Sequence, residues 1–477
     1  MFDPDIAPSG TLLGLLQRGR GDGTLHALAA PRAEALAALH HCLLRDPRRD
    51  WQVENRSLYY ARLCLDLDAG LDAIDRHLFS ADDSLDTGEE RTGLALAVLG
   101  HLASYGREDA LLLLRRYAIS GANWAWALDE LALRDDDAGL LGLGESILAR
   151  FPAGPEGERA LAAAVRDAFE PRPWRLWADE AQSPATAARV RAAQEQGSFD
   201  RWQRQLRPSG PRPGWSVREV LDWAQEGLAL HPVQHRHVPA TRLLNAVAGP
   251  EDRVEIIEAA AFGTGAARAT ALRYLAEHDD PQALDVIEAA VADPADAGGL
   301  VAEAAVTAFE RMRGTAALER ARAWIHRTDA LGGAAAGMLA SRGAPYDAPL
   351  VLGALRRTVR AEGPDAPVLW DLVPGAGRLG ITCAAPVLRH IYRETSSSHL
   401  RGRTARALAA TDPSFATGFA VECLWDCEET TRELAAHHAT TADARVVEQL
   451  RRLAADPAEE DDVQTAVRSR FGPETAV

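Results

Sequence analysis

Asp252 to Ala340 reads DRVEIIEAAAFGTGAARATALRYLAEHDDPQALDVIEAAVADPADAGGLVAEAAVTAFERMRGTAALERARAWIHRTDALGGAAAGMLA. Helix-length apolar segments alternate with short turns of Gly, Asp and Pro, and the pattern returns roughly every 30 to 35 residues. Val254, Ile257, Ala261 and Phe262 fall at helical spacing and give one apolar stripe. Gly263 and Gly265 are expected to end that helix, because glycine takes the positive φ of a tight turn without steric cost. A second helix carries Ala267, Ala271, Leu272 and Leu275; Asp280 then suits a cap and Pro281 the first position of the next helix. The unit recurs over 281–292 and 300–313, then over 315–327 and 330–341. No such pair is large enough to bury its own apolar face, so neighbours must stack.

The second helix opens with Ala267-Arg268-Ala269-Thr270-Ala271-Leu272, and a later one with Thr430-Thr431-Arg432-Glu433-Leu434-Ala435. An arginine followed by small residues here, with aspartates and Pro281 in the inter-repeat turn, resembles the HEAT-repeat family. The helix at Leu300 departs from the pattern, with Glu303 near the arginine position. The resemblance implies an all-α, HEAT-like α-solenoid, a superhelix of antiparallel helix pairs, with roughly ten to twelve pairs at about 30 to 45 residues each.

Outward from this stretch the chain divides into an N-terminal arm (1–23), an N-terminal HEAT-like block (24–169), an irregular Arg/Trp/Pro-rich seam (170–215) and a C-terminal HEAT-like block (216–477). Helices are expected over 25–44 and 51–67, among others. In the seam, Pro171, Pro173, Pro184, Pro208, Pro211 and Pro213 break the pairs, leaving two short helices, about 184–196 and 199–206. Trp174, Trp177, Trp202 and Trp215, four of the eleven tryptophans, gather there with Arg172, Arg175, Arg201 and Arg204. Trp and Arg are enriched at binding hot spots, so these eight residues are the expected partner-binding set, presented at an accessible groove. The competing expectation is a structural seam that buries the tryptophans.

The chain is 47% hydrophobic, only 6% aromatic, and carries a net charge of −17; all 52 basic residues are arginine. The acidic balance argues against non-specific binding to nucleic acid or an anionic membrane. No apolar run approaches the roughly 20 residues of a membrane span. Cys42, Cys64, Cys383, Cys423 and Cys427, odd in number and scattered, suggest reduced thiols, and with an acidic N-terminus that lacks an apolar core they suggest a cytoplasmic protein.

Motifs that bear on chemistry are few. His231, His235 and His237 have the spacing of metal ligands, but prolines flank them and no cysteine or carboxylate completes the set. Cys423 and Cys427 lack further ligands and read as buried thiols. Gly375-Ala376-Gly377-Arg378-Leu379-Gly380 matches the dinucleotide fingerprint literally, but no strands surround it, and it is expected to be an inter-helix loop. Trp124, Trp126 and Asp129 are similar in kind to the tryptophans and aspartate of HEAT-fold alkylpurine glycosylases, though their spacing differs. No cofactor or metal is expected. The functional expectation is a soluble scaffold that binds a protein partner through its concave face. Its alternatives are a HEAT-fold DNA-base (alkylpurine) glycosylase or other nucleic-acid-binding protein, or a peptide- or small-molecule-binding regulator.

Overall fold

A computed structural model describes residues 5–50, 52–85, 88–179, 183–206, 214–230, 237–294 and 299–471; the side chains of 197–206 lie outside the description. Among the described residues the fold is all-α: it is 75% helical, with 28 α-helices and no strand. Successive helices pack as neighbours, Arg253–Phe262 on Gly265–Glu277 and Thr315–Trp324 on Ala330–Arg342. Second helices also pack on one another, Gly265–Glu277 on Leu300–Arg311 and Ala330–Arg342 on Leu369–Arg378. The helices group into two compact units, each described by itself. One combines Met1–Pro208, Arg393–Ala405 and Pro413–Val477, and the other Ser209–Tyr392 and Arg406–Asp412.

In the second unit small side chains set the spacing. Ala266, Ala269, Ala271, Ala305, Ala335 and Ala340 are fully buried. A Cβ placed on Gly375 would sit 2.4 Å from the Cβ of Ala340, so the two backbones meet where no larger residue fits. The turns differ from the expectation in one respect. Gly265 does take a positive φ, of 44°, but Gly263 does not. Gly263 is required because a Cβ there would lie 2.3 Å from the Ala259 carbonyl oxygen; Gly343 repeats this against Leu339 at 2.4 Å. Asp279, at φ 51°, accepts the Gly314 amide at 2.8 Å, and Asp280 accepts the Gln282 amide at 2.9 Å. Gly375 and Gly377 lie inside the helix Leu369–Arg378, not in a loop.

The first unit is built from both ends of the sequence. Arg401 lies in the helix Ser398–Thr411 and has no exposed surface. It forks onto Asp426 at 2.8 Å and donates to the carbonyls of Arg18 at 2.7 Å and Gly19 at 3.2 Å. The Cys427 amide donates to Gly19 at 2.9 Å. Arg56, also fully buried, joins the Gln17 and Ser396 carbonyls to Glu54. Those bonds fix 52–56 in irregular backbone, so the helix expected from Trp51 starts at Ser57; Trp51 itself lies outside the described residues. Pro31 divides the helix expected over 25–44 into Gly21–Ala29 and Arg32–Leu44.

The burial of Ala271 yields a direct test. Ala271→Phe must force helix Gly265–Glu277 off its neighbours and lower stability by about 1–3 kcal/mol, read as a lower Tm. An unchanged Tm contradicts the register.

Candidate functional site

The helix Arg172–Asp179 is anchored by Arg172 and by its two tryptophans. Arg172 Nη1 donates to the carbonyls of Ala132 at 2.7 Å and Asp135 at 2.9 Å, and Nη2 pairs with Asp137. The C-terminal carbonyls of the earlier helix Trp124–Arg134 thus gain the donors a helix end lacks. Arg189 does the same for Leu148, at 3.1 Å, and for Phe151, at 2.6 Å. Trp177 is 1% exposed, and its indole N–H donates to the Leu140 carbonyl at 2.8 Å. Trp174, 3% exposed, meets Trp177 edge-on at 5.0 Å and Trp124 at 6.5 Å.

The expectation that Trp174 and Trp177 present themselves at an accessible groove is therefore corrected: both are core residues, and Arg172 is committed to helix capping. Arg175 is exposed. Arg201, Trp202 and Arg204 fall in a single helix, Pro184–Leu206, rather than in two, and their side chains lie outside the description. Trp215 belongs to the other unit, where it is half-buried and edge-on to Trp223 at 6.2 Å.

A second row of polar side chains, not singled out by its sequence, crosses three helices of the first unit: Ser57–Asp66, Glu89–Ser104 and Trp124–Arg134. On the last of these, Glu130 receives Trp126 Nε1 at 3.3 Å and pairs with Arg134 at 2.7 Å. Gly93 and Gly100 make room for them. A Cβ on Gly93 would meet the Trp126 ring at 2.7 Å, and one on Gly100 would meet Glu130 Oε2 at 2.1 Å. Burial raises the Glu130 carboxyl above its usual range despite Arg134. Next in the row, His101 Nε2 lies 3.1 Å from Ser57 Oγ. Ser57 already donates its proton to Asn55 at 2.6 Å, so the His101 ring is the donor. Arg62 pairs with Asp456 at 2.7 Å and Glu459 at 3.0 Å, and Tyr105 donates to Asp456 at 2.8 Å. The spacing of Gly93 and Gly100, two turns apart, was the available sequence signal.

The charged and polar groups of this row are paired with one another, with Arg134 Nε left without a hydrogen-bond partner among the described residues, and no nucleophile with a free general base stands in it. Cys423 and Cys427 are buried; burial pushes the Cys427 thiol up to about 12 even beside Arg401. Trp124 is packed against Phe151 and Trp174, and Asp129 accepts the Glu170 amide at 3.0 Å. Among the described residues no three His, Cys, Asp or Glu side chains are placed to hold a metal ion; His231 and His235 lie outside them. No described helix is long and apolar enough to cross a membrane. The chain matches no protein-family model, no curated protein and no solved structure.

Two half-buried groups titrate in opposite senses. Burial, helped by Arg134 and Arg62, lowers His101 to about 4, so the unfolded chain binds its proton first. Its share of stability is complete above about pH 6.5 and is lost as pH falls toward 4. Burial raises Asp129 to about 6, so its effect runs the other way, with stability falling as pH rises from about 4 to 6. Denaturant titrations should show His101→Gln flattening the acid loss by up to about 3 kcal/mol, and Asp129→Asn steepening the fall in stability below pH 6. Parallel profiles for wild type and both variants contradict these assignments.

Proposed function

We propose that this chain is a HEAT-like scaffold that binds a protein partner through the face formed by the second helices of its pairs, the concave face of such a solenoid. One recurring contact carries the reading. Arg268, in the helix Gly265–Glu277, reaches Asp293, in the turn after the next helix, at 3.5 Å. Arg401 reaches Asp426, 25 residues on, and Arg432 reaches Glu459, 27 residues on, each at 2.7–2.8 Å and again after one intervening helix. A repeated arginine clamp from second helix to following turn is what stacked helix pairs need to hold register. The second helix Leu300–Arg311 leaves Glu303, Thr307 and Glu310 exposed along one side, a surface free for a partner. The glycosylase alternative draws less support, because Trp124 is held by other aromatic rings and Asp129 by a backbone amide.

Affinity capture from native lysate tests this, with a Glu303→Arg, Glu310→Arg double variant beside the wild type. The proposal expects a protein retained by the wild type and lost by the variant at unchanged Tm. Capture of nothing above a blank resin, or equal capture by both, overturns it. Release of an alkylated base from duplex DNA favours the glycosylase instead.

A further inference from the structure

The helix Arg253–Phe262 is apolar on two sides and covered on one. Ile256 and Ala260 are fully buried, and the helix packs on Gly265–Glu277 and Gln282–Val291. The stripe that the sequence offers for stacking, Val254, Ile257, Ala261 and Phe262, is the other side. Val254 is 63% exposed and Phe262 85%, with Ile257 and Ala261 half-buried between them. At 3.6 residues per turn Ile257, Ala261 and Val254 lie side by side, and Phe262 stands two turns beyond Val254 with Glu258 between them. A single exposed apolar side chain needs no explanation, but two large ones two turns apart on one helix face invite one.

Charge identifies what fits there. Glu255 and Glu258 are exposed within and beside the stripe, and Glu251 is exposed just before the helix begins. The helix has a single arginine, Arg253, and it is taken by Asp280 at 2.6 Å and by Gln282 at 3.1 Å. Among the described residues no cation pairs with Glu255 or Glu258. The face thus sets two exposed apolar side chains, Val254 and Phe262, around the unpaired Glu258, with Glu255 beside them.

We propose that this face docks a basic amphipathic helix of a partner protein, whose apolar side chains cover Val254 and Phe262 while lysines or arginines meet Glu255 and Glu258. The face belongs to the first helix of its pair, so this inference stands apart from the second-helix surface proposed above.

The test uses the full chain and a library of random 16-residue peptides displayed on phage. Clones selected on the wild type are re-measured as free peptides against Val254→Ser, Phe262→Ser and against Glu255→Gln, Glu258→Gln. All four positions are solvent-facing, so both variants should keep the wild-type Tm. The expected clones are lysine- or arginine-rich, with apolar residues at helical spacing. Their affinity should fall at least about tenfold on the serine variant. On the glutamine variant it should fall about threefold at low ionic strength, a gap that closes as salt is raised. The proposal is overturned if no clone distinguishes wild type from the serine variant, or if the clones that do are acidic or uncharged. It is also overturned if the wild type forms a dimer that the serine variant abolishes, which makes the occupant a second copy of this chain.

Discussion

Arg401 has no exposed surface, and neither has the carboxylate it pairs with, Asp426. Withdrawing both charges from water carries a large desolvation cost, which their attraction offsets only when the remaining donors are also satisfied. Here they are: the guanidinium also bonds the carbonyls of Arg18 and Gly19 and lies 3.3 Å from Cys427 Sγ. The turn it grips admits only glycine. Gly19 has a φ of 66°, and a Cβ there would lie 2.4 Å from Cys427 Sγ. Arg432 extends the same construction, donating to the carbonyls of Asp426 and Cys427 and forking onto Glu459. Burial alone would raise the Glu459 carboxyl, but Arg432 and Arg62 hold it below its ordinary range. Removing any one partner strands a buried charge, at a cost of about 3–5 kcal/mol.

This chemistry makes the first unit depend on residues nearly four hundred positions apart. Arg18 donates to the Glu394 carbonyl, Arg20 to that of Arg393 and His399 to that of Val53. Arg18, Arg20, Arg56 and Arg401 each make such a contact to a main-chain oxygen. A carbonyl is offered by every residue, so the side-chain sequence around it holds no complementary signal.

That asymmetry explains what was legible in advance. The all-α class could be read from period and punctuation, because both are local. The buried position of Ala271 followed from the same periodicity. The side of Arg253–Phe262 that faces the core did not, since Ile256 and Ala260 compete with Val254 and Phe262 and composition cannot choose between two apolar stripes. The Arg/Trp segment was conspicuous by content, but whether Trp174 and Trp177 face solvent depends on the Leu140 carbonyl and the Trp124 ring, which belong to earlier helices. Glu130 and His101 drew no notice because each is ordinary alone; Gly93 and Gly100 matter only once Trp126 and Glu130 lie across them.

If the buried arginines bind the chain ends into one cooperative unit, opening at one end must open the other. Native-state hydrogen exchange reads this directly, by comparing peptides covering Leu12–Gln17 and Glu429–His438. The account predicts that the two share one opening free energy to within about 1 kcal/mol, and that Arg401→Ala lowers both together. Rapid exchange over Leu12–Gln17, as in a fraying terminus, with Glu429–His438 still fully protected, would contradict it.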